Sequence, residues 1–217
     1  MGHLARLARF FVGILFPERL SESLVADAEI DTVLSLSKPR IERLLEHNVH
    51  VLLPYQHSLV KACIREAKFH AGEKARTHLS HVLREFLEAS TEELTSVSHE
   101  RVVVVPIPLS KTRLNERGYN QIEEIAKIAL QGLENISLDT ALLEKTKDTP
   151  AQAKLARAYR LTNVVDAFKA STTLHNHTLY IILDDVATTG ATLTEAKRAL
   201  SCALPPSSSI LLLALSH

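Results

Sequence analysis

The sequence predicts an α/β fold with a mostly parallel sheet flanked by helices. Two continuous β-branched runs carry that expectation, Arg101–Pro108 ("RVVVVPIP") and Thr178–Leu183 ("TLYIIL"). Strands buried on both faces have this composition, as in parallel sheets. A third apolar run, Ser209–Leu215, and helical patterns between the runs complete an alternation of strand and helix.

Along the chain, residues 3–15 read as a short amphipathic helix stopped by Pro17. Residues 18–40 are weakly patterned, with Lys38-Pro39 as punctuation. Val60, Cys63, Ile64 and Ala67 recur at helical spacing within 57–69. Leu79, Val82, Leu83 and Phe86 do the same in a helix starting at Glu73 and ending near Ala89, and a polar connection follows to Glu100. Asn120 to about Gln131 is helical, with Ile122, Ile125, Ala126 and Ala129 on one stripe and Gly132 suited to end it. A strand is expected at 140–146, and helices over Lys154–Leu161 and Leu193–Ala203. Residues 1–50 are expected to form a small, largely helical N-terminal extension and residues 51–217 the main domain.

The composition is that of a globular chain, with 46% hydrophobic and 23% charged residues. Lys plus Arg and Asp plus Glu balance at 25 each, which weighs against wholesale nucleic-acid binding but leaves room for a local basic patch. Cys63 and Cys202 lie far apart outside any CxxC, which argues against a disulfide framework or a Cys-ligated zinc and for two thiols in a reducing cytoplasm. The apolar run Phe10–Phe16 is too short to span a bilayer. Pro17, Glu18, Arg19 and Glu22 behind it make a poor signal-peptide cleavage region, so a cytoplasmic protein with no membrane partner is expected. His78 with His81, and His175 with His177, lack an acid or Cys partner at ligand spacing; they are assigned to surface or packing, and no protein-held metal site is expected.

The chemistry concentrates in "YIILDDVATTGATL", Tyr180–Leu193. In open α/β sheets ligands bind beyond the carboxyl ends of the strands. Asp184 and Asp185 stand at such an end, and neighbours on a strand point to opposite faces, so the two acids are assigned different tasks. One can accept hydrogen bonds from a sugar's hydroxyl pair, while the other orients the loop or helps to hold a hydrated cation. Val186, Ala187, Thr188, Thr189, Gly190, Ala191 and Thr192 then lead into a helix whose first amides favour an anion. Gly190 lacks a Cβ that would block a phosphate or a tight turn. Together these residues describe a site for ribose 5-phosphate.

A second loop, "VPIPLSKTRLNERGYNQ" (Val105–Gln121), follows the first buried strand. Lys111, Arg113 and Arg117 outnumber Glu116, and with Ser110 they can stabilise a departing pyrophosphate; alone, such a loop is equally a solvated basic surface. Arg157 and Arg160 fall one helical turn apart, on a solvated face or on a segment that closes over an anion.

"IILDDVATTGAT" resembles the phosphoribosyl-diphosphate (PRPP) motif of type I phosphoribosyltransferases. "RGYNQ" (Arg117–Gln121) with its surroundings resembles the competence protein ComF family, as do "TPAQAKLARAYRLTNVVDAF" (Thr149–Phe168), Tyr55 with Lys68, Phe69 and Gly72, and "LFPE" (Leu15–Glu18). The resemblance is strongest over 102–193. It implies a type I phosphoribosyltransferase-like fold that binds PRPP or a ribose 5-phosphate ligand with Mg2+ and is linked to DNA uptake. In one version the protein transfers the phosphoribosyl group with release of pyrophosphate, using Asp184, Asp185 and Lys111 as catalytic residues and Ser110, Arg117 and Arg160 as further ligand contacts. In the other it is a non-catalytic nucleotide- or single-stranded-DNA-binding module working with partners of the competence machinery. Members of the family usually carry an N-terminal cysteine-rich zinc module; Leu20 and Ser23 stand where a CxxC would be, so no structural zinc is expected.

Overall fold

The computed structural model describes residues 19–90, 99–147, 166–171 and 174–217. The helices expected at 3–15 and Lys154–Leu161, and with them Arg157 and Arg160, lie outside the described residues.

Two short helices, α1 (Leu20–Asp27) and α2 (Ile30–Ser35), precede a hairpin of β1 (Arg40–Leu44) and β2 (His47–Leu53). Then come α3 (Ser58–Phe69), α4 (Glu73–Ala89) and β3 (Arg101–Pro106). The chain continues through α5 (Lys111–Arg117), α6 (Gln121–Ala129) and the short strands β4 (Ile136–Leu138), β5 (Leu143–Lys145) and β6 (Phe168–Ala170). It ends with β7 (Thr178–Val186), α7 (Ala191–Ser201) and β8 (Ser209–Ser216). Six strands form one sheet in the order β1-β2-β8-β7-β3-β4, with β1 antiparallel and every other pairing parallel. β5 and β6 form a separate antiparallel pair. The α/β class read from the sequence is therefore the class observed.

β7 is central because it is apolar on both faces. Ile181 and Leu183 point into a core shared with α3, α4 and α6, through Val60, Cys63, Leu79, Leu83, Ile122 and Ile125. Tyr180 and Ile182 point into a second core with Leu193, Ala196 and Leu200 of α7 and Phe168 of β6. This two-sided burial explains why β3 and β7 lack the polar alternation of a half-exposed strand. The stripes read in α3, α4 and α6 are the buried stripes of those helices.

Four elements differ from expectation. β7 runs three residues further, because Asp184 and Val186 still pair with Ala214 and Ser216 of β8; both acids sit inside the strand rather than beyond it. Residues 111–117, read as loop, form α5, capped by Ser110 at one end and by left-handed Gly118 at the other. None of its residues is buried, so it carried no apolar stripe to read. The β1–β2 hairpin was not legible, since its turn is Leu45-Glu46, with Leu45 at φ 53°, in place of the usual Asn-Gly. β2 crosses residue 50 and pairs with β8, so the hairpin belongs to the main sheet. The strand expected at 140–146 is the three-residue β5, which joins the small sheet; β4 and β6 are too short to show a pattern.

Among the described residues no helix is long and apolar enough to cross a membrane. Cys63 is buried, Cys202 exposed, and both thiols are free.

Leu183 is fully buried between β3 and β8, just before the acids. Leu183→Ala is expected to cost about 2–5 kcal/mol in urea unfolding; a loss below ~1 kcal/mol would mean that this end of the sheet is loosely packed.

Candidate functional site

The extension of β7 fixes the two acids on opposite faces. Asp185, only 5% exposed, lies on the α3/α6 side. Its Oδ2 accepts from Lys68 Nζ of α3 at 2.9 Å and from Gln121 Nε2 of α6 at 2.7 Å. The Ser216 hydroxyl donates to its backbone carbonyl at 3.1 Å. Burial works to raise this carboxyl, but the Lys68 charge and the hydrogen bonds from Lys68 and Gln121 outweigh it and hold Asp185 below the usual carboxylate range.

Asp184 lies on the α7 side, where its Oδ1 accepts from the Asp185 amide at 2.8 Å. Burial, with the Asp185 charge second, pushes its carboxyl up to about 7. One acid is thus a fixed anion inside the fold, and the other is left to titrate near neutrality.

The loop beyond β7 is anchored at its start, where the Ala187 amide donates to Ser216 O at 2.9 Å. At the head of α7 the Thr189 hydroxyl accepts from the Ala191 amide at 3.3 Å, and Gly190 O accepts from Thr194 N at 2.9 Å. Among the described residues, the amides of Thr188, Thr189, Gly190, Thr192 and Leu193 meet no protein acceptor. Unpaired amides at a helix start favour an anion. Gly190 itself serves differently from expectation. It takes φ +79°, and a Cβ there would stand 2.7 Å from Leu44 Cβ. It allows the tight turn, but the space on its open side holds the β1 side chain.

The residues after β3 divide between structure and site. Ser110 is 3% exposed and caps α5, its hydroxyl accepting from the Arg113 amide at 3.4 Å. Lys111 is exposed and, with Glu144, Lys145 and Thr146, lines a cleft of about 290 Å3. The Lys145 charge also acts on Asp184, after that of Lys68. Arg117 donates to Gln121 Oε1 at 3.0 Å and lies over the Phe69 ring, 5.0 Å from its centroid. It therefore joins a chain Arg117–Gln121–Asp185–Lys68 that ties α5, α6, β7 and α3 together. Tyr119 reinforces the tie, donating to Ala67 O at 2.7 Å and accepting from the Ala71 amide at 2.9 Å. Arg160 lies outside the described residues.

Lys68 and Gln121 enter the sequence reading only through the ComF resemblance, and Lys145 only as one basic residue a nucleic-acid-binding face would need; none was assigned to the acid pair. The signal for Gln121 was an amide side chain beginning an apolar helical stripe; it is 4% exposed, and such groups require partners. Lys68 and Lys145 carried no local signal, since what they face is brought there by the fold.

The molecule is therefore an α/β protein with an acid pair and open amides at the carboxyl edge of a parallel sheet. The chain is 35% identical over 116 residues to the competence protein ComFC of Streptococcus pneumoniae (strain ATCC BAA-255 / R6), a match covering 53% of this chain and 48% of that protein. The chain spans about half the length of the curated relative it matches. No known family's profile matches the chain. The similarity to ComFC relates the chain to the ComF family.

Removing the Lys68 charge tests the network. Breaking a buried pair costs about 3–5 kcal/mol, and the partly exposed Lys68 ammonium lowers the expectation for Lys68→Met to about 2 kcal/mol at pH 7. The depressed value of Asp185 contributes stability above the unfolded carboxylate value of about 4, and that contribution is lost as pH falls through the folded value. The gap between wild type and Lys68→Met in urea unfolding should therefore persist down to about pH 4 and close only as pH falls below it. A gap independent of pH would show that Lys68 acts by packing alone.

Proposed function

We propose that the chain binds a ribose 5-phosphate ligand, PRPP foremost, on a type I phosphoribosyltransferase-like framework, and transfers the phosphoribosyl group to an acceptor. The observation that carries the proposal is the set of unpaired amides of Thr188, Thr189, Gly190, Thr192 and Leu193, among the described residues, beside an Asp184 carboxyl poised near neutrality. The amides and the Thr188 and Thr192 hydroxyls would take the 5-phosphate, and Asp184 would accept from the ribose hydroxyls. Lys111 and Lys145 would face the pyrophosphate. In the transfer, a nucleophile on the acceptor forms a bond to the anomeric carbon as the bond from that carbon to pyrophosphate breaks. The electron pair leaves on pyrophosphate, and the nucleophile's proton passes to it or to water. The chain's share is position and charge, with no covalent nucleophile of its own.

Mg2+ fits this site in the donor chemistry of Asp184, whose carboxyl is raised by burial beside a second acid and so gains from a cation. Bound with PRPP, the ion would neutralise pyrophosphate charge; Asp184 and the substrate's own oxygens would hold it.

The named role of the relative, a competence protein, supports a place for this chain in DNA uptake. The two free thiols support a reducing cytoplasm. A non-catalytic nucleotide- or single-stranded-DNA-binding module of the competence machinery is the alternative, and turnover separates the two.

Calorimetry of the full chain with ribose 5-phosphate is expected to show a single site, weakened at least tenfold in Asp184→Asn. Adding EDTA should weaken PRPP and leave ribose 5-phosphate unchanged. Pyrophosphate release from PRPP with an acceptor panel would establish transfer; tight PRPP binding with no release from any acceptor would favour the non-catalytic module.

Asp184 also makes a stability prediction. Its folded value lies above the unfolded one, so the native state holds the extra proton between about pH 4 and 7 and loses stability as pH rises across that window. Ligand-free Asp184→Asn should therefore gain stability relative to wild type from pH 4 to pH 8 in thermal unfolding; a constant difference would mean that Asp184 is solvated.

A further inference from the structure

The cup at the start of α7 has a neighbour. A cleft of about 990 Å3 reaches from Val186 and Thr188 along the exposed side of α3, lined by Tyr55, Lys61, Ile64, Arg65, Lys68, Phe69 and His70. Lys61, Arg65 and Lys68 fall at i, i+4 and i+7, so one helix face turns three cations toward it. Lys68 is engaged by Asp185, and Lys61 lies over the Tyr55 ring and donates to Gln56. Arg65 has no acidic partner among the described residues, and Asp185 is the only acid lining the cleft among them. Phe69 is 59% exposed at the far end of the same helix, its ring held by the Arg117 guanidinium.

A cleft walled by an aromatic ring with a charged group beside it has the make-up of a small-molecule site. An aromatic face selects a flat ring, and an Arg fork selects a carboxylate by two parallel hydrogen bonds. We propose that this cleft is the acceptor subsite and takes a planar aromatic acid, its ring on Phe69 and its carboxylate on Arg65, one turn away on the same helix. The inference rests on the phosphoribosyl-transfer reading, since it is the Val186–Thr188 end, shared with the cup, that would bring the acceptor to the sugar. A nucleic-acid strand is the less favoured occupant. The cleft is the size of a small-molecule site, whereas strand binders string several aromatics along a basic groove.

The test is saturation-transfer NMR on the full chain. The probes are benzoate, pyridine-3-carboxylate and 2-aminobenzoate, each against its uncharged amide, with and without saturating ribose 5-phosphate. The acids should show contact and the amides none. Arg65→Gln should weaken the acids at least tenfold while ribose 5-phosphate calorimetry stays at its wild-type value, and Phe69→Leu should weaken them several-fold. Acids that bind Arg65→Gln as well as wild type would overturn the proposal. So would failure of every acid in the panel, or binding of oligothymidylate in their place. Because ribose 5-phosphate is measured separately, its failure alongside Arg65-dependent acid binding would sink the transfer reading and leave the acid site standing.

Discussion

Everything at the carboxyl edge of the sheet depends on one buried carboxylate, Asp185. A carboxylate this deep is costly unless it is paired and hydrogen-bonded. Lys68 supplies the charge and Gln121 the second bond, one from α3 and the other from α6. Satisfying Asp185 therefore sets where both helices stand against β7. It also leaves a fixed negative charge one residue from Asp184, which helps to keep that neighbour's proton on to about pH 7. The strand's alternation thus converts two identical residues into a structural anion and a titrating group, with no difference in their local sequence.

The same network shapes the space around it. Through Gln121 it reaches Arg117, whose guanidinium lies on the Phe69 ring at the end of α3. Tyr119 binds Ala67 on that same helix and Ala71 just beyond its end. Segment 107–120, with α5 in it, and α3 are thereby locked to each other, and the cleft beside Thr188 acquires a firm wall. The opposite side of β7 is built differently. There Leu44 packs on Gly190, and α7 is held through Leu193 and Ala196, so that its first amides stay open. Sheet, network and helix start together give an anion cup, a titrating acid and a cationic aromatic cleft along one edge.

Much of this was legible in the sequence where a residue's neighbours in the chain are also its neighbours in space. The stripes of α3, α4 and α6 and the runs of β3 and β7 could be read because burial follows a fixed period. The acid pair and the Thr-rich turn could be read because strand end, turn and helix start are contiguous. The β1–β2 hairpin could not, since Leu45-Glu46 is no turn signal and Ile41 of β1 is 59% exposed. α5 was hidden because it buries nothing, although Ser110 and Gly118 marked both its ends. Gly190 carried a conformational signal, but its approach to Leu44, 146 positions earlier, is a fact of the fold. Lys68 was missed for the same reason, being 117 residues from the acid it holds.

The central claim is that the amides opening α7 receive a sugar phosphate, and backbone NMR sees them one by one. On titrating ribose 5-phosphate into the labelled full chain, the largest amide shifts should fall on Thr188, Thr189, Gly190 and Thr192, with those of Ala187 and Thr194, already bonded within the protein, moving less. Shifts concentrated elsewhere, or none at saturating sugar phosphate, would contradict it.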